Sequence, residues 1–330
     1  MLEALEVGGQ CLPPYAHRFA PKKFTQPQLF ACLVLKEFEK KDYRGVWQLL
    51  LDCPDLRDAI GLKAVPHYTT LQKASRRLLG LEHVRKLLAR TVARIHGRRK
   101  NVPHAAADST GFDARHASRY FVWRRDNDPR KGEKRPKKKH GYKHYGKLMI
   151  VVCCLSHAVL AAVASGGPAP DVHQLGGVLA ELPPGVKVGH MVLDAGFDSG
   201  HNHRLLREEH GIRSTIPPEY GRPPKDPAAL PPDKYRRMMK RRFKDGKRPT
   251  VYRKRVQVET VNSMLKRNLG SALRGRAHHS RRRDMLLRVL THNIMLALSW
   301  VFYRAELTPF PAPVSVPNSL WKLAASPFQF

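Results

Sequence analysis

The 330-residue chain carries 60 Lys and Arg against 27 Asp and Glu, which gives a formal net charge of +33. A positive field of this size favours a polyanionic partner, either nucleic acid or an anionic membrane surface. Membrane insertion is disfavoured, because the most apolar window, residues 290–303, is too short for a span and contains His292 and Asn293. The first ten residues contain two Glu and show no signal-peptide pattern. Five cysteines without metal-ligand spacing favour reduced thiols and a cytoplasmic setting.

The first hundred residues have a helical pattern. Residues 1–23 are Pro-rich, and we predict them to be irregular. Apolar spacing over residues 26–51 predicts two helices broken near Asp42, a capped helix begins within residues 66–74, and residues 82–98 predict another helix. Two short helices around a turn, the second of them basic, are typical of a helix-turn-helix reader of DNA. A plain helical bundle that supports the next domain or a dimer explains the same pattern equally well.

From residue 102 onward, short apolar runs alternate with helical segments. Two of these runs form a predicted hairpin, and two end on an aspartate, Asp108 or Asp194. Parallel strands joined by helices place functional groups at the carboxyl ends of the strands. We therefore expect Asp108 and Asp194 at the carboxyl ends of their strands. The predicted strands cover residues 104–112, 148–155, 157–164, 186–193 and 212–216.

Residues 124–147 form a dense basic run. It contains Lys137, Lys138 and Lys139, with His and Tyr residues interleaved. Basic residues with aromatics can grip a phosphate backbone and stack on bases. We predict that this run contacts nucleic acid, and the alternative is a solvated loop.

A second basic stretch, residues 217–250, is also rich in proline and includes Arg241 and Arg242. We interpret it as a mobile insertion that becomes ordered on DNA. Residues 281–304 then predict a long, mostly apolar helix that packs on the core, and a Pro-rich tail covers residues 306–330.

Residues 252–266 predict one helix, with Thr250 as its N-cap and Gly270 just beyond its end. At about 100° per residue, the helix has an apolar stripe that can bury against a core and a polar stripe with one acid among bases. A basic amphipathic surface helix is the plain alternative, but it has no need of that acid. The apolar stripe contains Val258, Val261, Leu265 and Leu269. The polar stripe contains Tyr252, Arg255, Glu259, Asn262, Ser263 and Lys266.

Asp108, Asp194 and Glu259 each lie at the edge of a predicted element and have basic sequence nearby. Alone, an aspartate at a strand end is usually a cap or turn residue. Hard divalent cations such as Mg²⁺ prefer carboxylate oxygens. Two such ions about 4 Å apart can activate a nucleophilic oxygen and stabilise the leaving oxygen of a phosphodiester. Converging carboxylates repel each other without metal, so we expect these three at a functional site.

The motifs around these acids resemble those of bacterial insertion-sequence transposases of the DDE class. The stretches Ala-Asp-Ser-Thr at Asp108 and Leu-Asp-Ala-Gly-Phe-Asp-Ser at Asp194 are similar to the first two acidic motifs of that family. The resemblance covers about residues 100–305, and the helical segment 24–98 looks like the usual N-terminal part. The tyrosine–arginine–glutamate–lysine signature of the family is matched, with two, three and six residues between its members, by Tyr252, Arg255, Glu259 and Lys266.

The resemblance implies an α/β fold: a ribonuclease H-like mixed five-stranded sheet flanked by helices, with an all-helical N-terminal domain. The implied domains are residues 1–100 for DNA binding or dimerisation, residues 101–305 for catalysis, and the tail. The 64 residues between Asp194 and Glu259 leave no room for a large all-β insertion like that of some relatives.

The resemblance also implies a metal-dependent DNA transposase. Asp108, Asp194 and Glu259 would hold two Mg²⁺ ions, for which Mn²⁺ can substitute. The implied partners are double-stranded DNA, as transposon terminal inverted repeats and target, and a second copy of the chain, at the nucleoid of a prokaryotic cell. Alternatives are an inactive or repurposed DNA-binding protein and a nuclease of the same fold that does not join strands. Our candidate DNA contacts are Tyr252, Arg255, Lys266, Asn262, Lys137, Lys138, Lys139, Arg241 and Arg242.

Overall fold

The computed structural model describes residues 1–97, 101–113, 145–167, 169–218, 231, 233–244 and 248–307, with side chains as far as residue 299. The predictions for Lys137, Lys138 and Lys139, and for the Pro-rich tail beyond residue 307, lie outside the described residues.

Six helices precede the sheet: α1 (Leu2–Cys11), α2 (Gln26–Phe38), α3 (Tyr43–Asp52), α4 (Pro54–Asp58), α5 (Tyr68–Leu78) and α6 (Leu81–His96). The break predicted near Asp42 is confirmed, because the Asp42 carboxylate accepts a hydrogen bond of 2.7 Å from Gly45 N and caps α3. The predicted cap of α5 is wrong, since the preceding His67 makes no capping hydrogen bond.

The prediction of irregular structure for residues 1–23 is wrong over α1. Ala4 and Val7 of this helix are fully buried against the rest of the helical region. Gly8 permits a close approach to α2, because a Cβ there would lie 3.2 Å from the Pro27 Cα atom. Tertiary packing, rather than local propensity, therefore stabilises α1.

The main sheet has five strands in the order β4-β3-β2-β6-β7. The β2–β3 and β3–β4 pairs are antiparallel, and the β2–β6 and β6–β7 pairs are parallel. The predicted mixed five-stranded sheet after an all-helical region, consistent with a ribonuclease H-like domain, is thus confirmed. The strands are β1 (Asn101–Val102), β2 (Ala105–Phe112), β3 (Gly146–Cys153), β4 (Val159–Gly166), β5 (Lys187–Val188), β6 (His190–Leu193) and β7 (Arg213–Thr215).

The single strand predicted for residues 186–193 is divided at Gly189. Its first part, β5, pairs with β1 in a separate two-stranded sheet, whereas β6 joins the main sheet. Gly189 N donates to Val102 O, and a Cβ at Gly189 would lie 3.2 Å from the Pro103 carbonyl oxygen. This close backbone approach favours glycine at the transfer point between the two sheets.

The helices that follow the sheet strands are α7 (Leu175–Leu179), α8 (Gly200–Arg204), α9 (Lys234–Arg242), α10 (Val256–Leu269) and α11 (His278–Leu307). The segment predicted as one helix from Tyr252 begins instead as a 3₁₀ turn, Thr250–Arg255, and Thr250 does not cap it. Gly270 ends α10 with a φ of +93°, as expected of a residue that follows a helix. No described helix is long and apolar enough to cross a membrane.

Part of the stretch interpreted as a mobile insertion, residues 217–250, forms the helix α9. Asp233 caps this helix by accepting from Tyr235 N and Arg236 N. Arg236 also forms an ion pair of 2.7 Å with Asp198, whose side chain is fully buried. These contacts attach α9 to the loop that follows β6. Most of the remaining residues of the stretch lie outside the described part of the chain.

The sheet has a hydrophobic cluster on each face. On one face, Ala106, Leu148 and Ile150 pack with α10, α11 and the N-terminal helices. On the other, Ala107, Met149 and Val151 pack with α7 and the loop after β6. Helix α6 packs against α11 and β4, so the helical region supports the sheet. Whether α5 reads DNA, and where the domain boundaries fall, stay predictions.

Candidate functional site

The register of two parallel strands places Asp108 beside Asp194. Strands β2 and β6 pair through Ala107 and Leu193, so the next residue on each strand is an aspartate. Residues level with each other on neighbouring strands point to the same side of a sheet. Asp108 is the fourth of eight residues in β2, and its predicted position near the strand end is therefore wrong. It is the parallel partner strand, β6, that ends at the level of Asp108, and the two aspartates lie side by side there.

Asp194 follows β6 directly and begins a 3₁₀ turn. One of its carboxylate oxygens, Oδ1, accepts a hydrogen bond of 2.8 Å from Ala195 N. The Asp194 side chain is 52% exposed, so its second oxygen can accept a ligand from solvent.

Helix α10 brings Glu259 to the same place. Val258, Val261 and Leu265 are fully buried, as the apolar stripe predicts, and anchor the helix to the sheet. The Glu259 side chain points outward from this anchored face and is 48% exposed.

The guanidinium of Arg255 lies between two of the three acids. Arg255 Nη2 is 2.6 Å from Glu259 Oε1, and Arg255 Nη1 is 3.9 Å from Asp194 Oδ2. Burial lowers the pKa of Arg255, but the carboxylates of Asp194 and Glu259 outweigh it, so the net shift is upward. The arginine acts here as the counter-ion of the acids.

Asp108 is the most buried of the three acids. Burial raises its pKa to about 6, against a hydrogen bond of 2.8 Å from Ser109 N. The negative charges of Asp171 and Asp194 raise the pKa further, and the charge of Arg255 lowers it. A carboxyl group in this state gains stability from an added positive charge.

The side-chain amide of Asn262 is only partly hydrogen-bonded within the protein. Its Nδ2 lies 3.5 Å from Asp108 Oδ2, at the long limit of a hydrogen bond. Its Oδ1 is buried and has no hydrogen-bond partner within the described residues. A buried orphan oxygen next to an acid suits an incoming donor or cation.

The other signature residues lie at different distances from the acids. Tyr252 is buried and packs edge-to-face on Phe243, with ring centroids 5.3 Å apart. Burial raises the pKa of Tyr252, so its hydroxyl stays protonated and can donate. The ammonium of Lys266 lies 5.8 Å from the ring centroid of Phe112, four residues along β2 from Asp108. The structure therefore gathers Arg255 with the acids and places Lys266 further along the strand.

Arg241 and Arg242 are exposed in the last turn of α9 and face a solvent-filled depression together with Lys234 and Arg237. The ion pair between Arg236 and Asp198 attaches this basic helix to a residue that follows Asp194 by four positions.

Two further acids near the site were not among the predicted functional residues. Asp171 forms an ion pair of 2.6 Å with Lys147 and adds negative charge near Asp108. Asp198 holds α9, as described above. In the sequence, Asp198 could have been identified as the second Asp of the motif Asp-Ala-Gly-Phe-Asp. Asp171 had no such signal, because it looked like an ordinary residue at the start of a helix.

The donor chemistry of the site suits a hard divalent cation. Carboxylate and amide oxygens are preferred ligands of Mg²⁺. The raised pKa of Asp108 and the orphan Asn262 Oδ1 both mark a position where positive charge is in deficit. In the described part of the chain, no three His, Cys, Asp or Glu residues are close enough to hold a metal as they stand. The pairing of Arg255 with Glu259 accounts for one of the carboxylates.

Comparison with known proteins places the chain in a family. No curated protein matches the chain. Residues 101–294, more than half of the chain, match the family model described as transposase DDE domain. The matched region runs from β1 into α11 and includes Asp108, Asp194 and Glu259. The chain therefore belongs to the family of transposase DDE domains.

Proposed function

We propose that the protein is a bacterial insertion-sequence DNA transposase, which cuts at transposon ends and joins the freed 3′-hydroxyl to target DNA. The observation that carries the proposal is the convergence of Asp108, Asp194 and Glu259 from two strands and one helix around Arg255. Membership of the transposase DDE domain family supports it.

Asp108, Asp194 and Glu259 would hold two Mg²⁺ ions, or Mn²⁺ in their place, and Asn262 Oδ1 is a further oxygen donor. Such ions supply positive charge at the phosphodiester and a nucleophilic oxygen at neutral pH. The chain itself holds Asp108 and Asp194 side by side on neighbouring strands and orients them through the Ser109 N and Ala195 N hydrogen bonds. No protein nucleophile is required, in keeping with the buried, protonated hydroxyl of Tyr252.

Arg255 would bind a DNA phosphate near the cleaved bond. A guanidinium can form two parallel hydrogen bonds with phosphate oxygens, as it can with a carboxylate. In this role Arg255 exchanges its contact with Glu259 for one with DNA, and Glu259 becomes available for metal. Tyr252 and Lys266 would contact the strand on either side.

The basic surfaces extend this contact along the duplex. Arg241 and Arg242 on α9 are placed to neutralise phosphates, and we propose the same role for Lys137, Lys138 and Lys139. Coordinated cutting at two terminal inverted repeats requires two active sites, so we propose a homodimer on DNA, acting at the nucleoid of a bacterial cytoplasm.

The test is an assay with the purified protein, duplexes carrying the terminal repeats of its element, target DNA and Mg²⁺. We expect cleavage at the repeat end and a joined product, both abolished by EDTA. Cleavage without joining assigns a nuclease instead. Binding without cleavage in either Mg²⁺ or Mn²⁺ assigns a DNA-binding protein, and either result overturns the proposal.

A further inference from the structure

A cavity of about 460 Å³ lies where the N-terminal helices meet the first turns of α11. Its wall on the helical side includes Lys36, Tyr43 and Gln72, and its wall on the other side includes Arg274, Arg276 and Arg283. We call it the junction cavity. Asp108, Asp194 and Glu259 do not line it.

The charge of the junction cavity is positive. Four cations line it, against two carboxylates that already accept backbone hydrogen bonds, Asp42 from Gly45 N and Asp284 from Gly275 N. Burial raises the pKa of Asp284. Lys36 is paired with Glu37 at 2.9 Å. Within the described residues, the three arginines form no ion pair, so their charges lack a carboxylate partner.

The loop that carries two of these arginines is held firmly against α11. Arg281 donates to Gly275 O at 3.2 Å and to Arg276 O at 2.9 Å. A Cβ at Gly275 would lie 2.6 Å from the Arg281 nitrogen, so glycine is required for this close approach. The guanidinium of Arg274 is anchored to the Lys40 carbonyl oxygen. The loop backbone and the guanidinium of Arg274 are thus arranged before any ligand arrives, which lowers the entropic cost of binding.

The junction cavity lies well away from the acids. Asp113, one residue beyond β2, exchanges backbone hydrogen bonds with Ser271 and Leu273 in the same loop. Asp113 is five residues from Asp108, which corresponds to roughly 17 Å at about 3.3 Å per residue along a strand. A ligand in the cavity is therefore separate from the reacting phosphodiester.

We propose that the junction cavity binds a phosphate group of the DNA backbone, outside the cleaved bond, through Arg274, Arg276 and Arg283. The inference rests on the proposed function, because DNA is the source of the phosphate. Guanidinium groups and polar side chains such as those of Gln72 and Ser75 are common partners of backbone phosphates. The volume falls within the range of roughly 300–1,000 Å³ typical of ligand sites, which leaves room for a sugar attached to the phosphate.

Bound there, DNA would bridge the helical region and the catalytic sheet. Gln72 belongs to α5 and Arg283 to α11, and both line the cavity. The contact fixes the register of the duplex relative to the acids, which is the usual role of phosphate contacts.

The test uses two double variants that lose the same charge. The cavity variant carries both Arg276→Gln and Arg283→Gln, and the control variant carries both Arg18→Gln and Lys63→Gln. The control residues are exposed and do not line the cavity. DNA binding is measured by fluorescence anisotropy from about 50 to 200 mM salt. Each lost phosphate contact lowers the slope of log affinity against log salt by about 0.9. Because the cavity variant loses its one phosphate contact, we expect its slope to fall by about 0.9, and that of the control by less than half as much.

The single variant Arg276→Gln serves where the double variant unfolds, since Arg276 is exposed. We expect a slope loss in the same direction but below about 0.9, because Arg274 and Arg283 remain. Titration calorimetry with inorganic phosphate and with a nucleoside diphosphate tests the other source of the same chemistry. Equal slopes for the cavity variant and the control overturn the inference. The inference is also overturned if the wild type binds free phosphate or the nucleoside diphosphate and the double variant does not, while both proteins bind DNA equally.

These outcomes are separate from failure of the proposed function. A wild-type protein that does not bind DNA at low salt, or shows a flat salt response, contradicts the transposase proposal as a whole. A wild-type protein that binds and cuts DNA, with no difference between the two variants, contradicts the junction cavity alone.

Discussion

Two rows of polar residues lie on helices that pack on the same face of the sheet, and they differ in how far the protein satisfies them. On α11, Arg288 donates to Glu37 and to the carbonyl oxygens of Gly270 and Ala272 at 2.7 Å each. Asn293 further along α11 bonds both backbone polar groups of Val159. Arg288, Glu37, Asn293 and Val159 are buried, and Gly270 and Ala272 are half-buried. The exception in this row is the buried Thr291 Oγ1, which has no hydrogen-bond partner within the described residues.

The row on α10 and its preceding turn contains polar groups whose hydrogen-bonding capacity is not fully used within the protein. Glu259 has one described partner, Arg255, and is half exposed, and Asn262 Oδ1 has none. Polar groups with hydrogen-bond partners inside the protein stabilise the fold, whereas convergent polar groups without such partners are suited to bind a ligand. The comparison assigns α11 to stability and α10 to function, and each assignment can be tested separately.

The largest effect is expected for Glu259→Gln, which removes a charge without changing the side-chain volume appreciably. Cleavage of repeat-end DNA should fall at least about 100-fold, as for loss of a charge that stabilises a transition state. The midpoint of thermal unfolding should stay nearly unchanged, because Glu259 is half exposed.

The matched control is Glu209→Gln, a glutamate on the exposed surface outside the site. Its cleavage rate should equal that of the wild type. Full activity in Glu259→Gln would remove this residue from the catalytic role.

The opposite behaviour is expected for Arg288→Gln on α11. Arg288→Gln removes one of the two cations that pair with the buried Glu37 carboxylate, and only Lys36 remains. Because buried acceptors lose a charged donor, the free energy of unfolding should fall by about 3 kcal/mol. The carbonyl oxygens of Gly270 and Ala272 also lose their donors. Urea unfolding measures the change.

The control is Arg282→Gln, six residues earlier on the same helix, which lowers the net charge equally. It should lower the free energy of unfolding by less than about 1 kcal/mol. A loss as small in Arg288→Gln would contradict the structural role of the α11 row.

His292 on α11 makes the comparison sensitive to pH. Burial lowers its pKa to about 4, although the hydrogen bond of 3.1 Å between its Nε2 and the carbonyl oxygen of His157 acts in the opposite direction. The unfolded chain binds this proton at about pH 6.5, so its contribution to stability is complete above that pH and is lost as the pH falls toward 4.

The free energy of unfolding should therefore fall between pH 7 and pH 4.5 by roughly 2–3 kcal/mol more in the wild type than in His292→Gln. Glutamine can still donate to the His157 carbonyl. Urea titrations at the two pH values give the difference, and an equal fall in both proteins would show that His292 is not held neutral.

The smallest change in stability is expected for Arg255→Gln. Exposed ion pairs four residues apart on a helix contribute about 0.5 kcal/mol, so unfolding should barely change. Binding of Mn²⁺ in the absence of DNA should nevertheless become tighter by about fivefold or more, because Asp194 and Glu259 lose a competing cation.

The control is Arg253→Gln, an exposed arginine in the same 3₁₀ turn that removes the same charge. Electron paramagnetic resonance of free Mn²⁺ measures the affinity. Equal affinities in both variants would mean that Arg255 does not compete for the acids.

Local sequence patterns predicted several elements correctly. The apolar stripe of α10, the β3–β4 hairpin and the break before α3 all follow from residue spacing and capping within a few residues of sequence. Helices α1 and α9 escaped such reasoning. The first has a Pro-rich neighbourhood and is stabilised by the packing of Ala4 and Val7, and the second is strongly basic and depends on the ion pair between Arg236 and Asp198.

The sequence by itself determined which residues share a helix face, and hence that Arg255, Glu259 and Asn262 occur together, because this depends only on the helical repeat. Only the tertiary structure decided that Asp108 lies beside Asp194, since two strands more than 80 residues apart must pair in one register. It also decided the charge balance of the site. The distance from Arg255 to Asp194 and the burial of Asp108 depend on how the 3₁₀ turn and α10 pack on the sheet, which residue spacing does not encode.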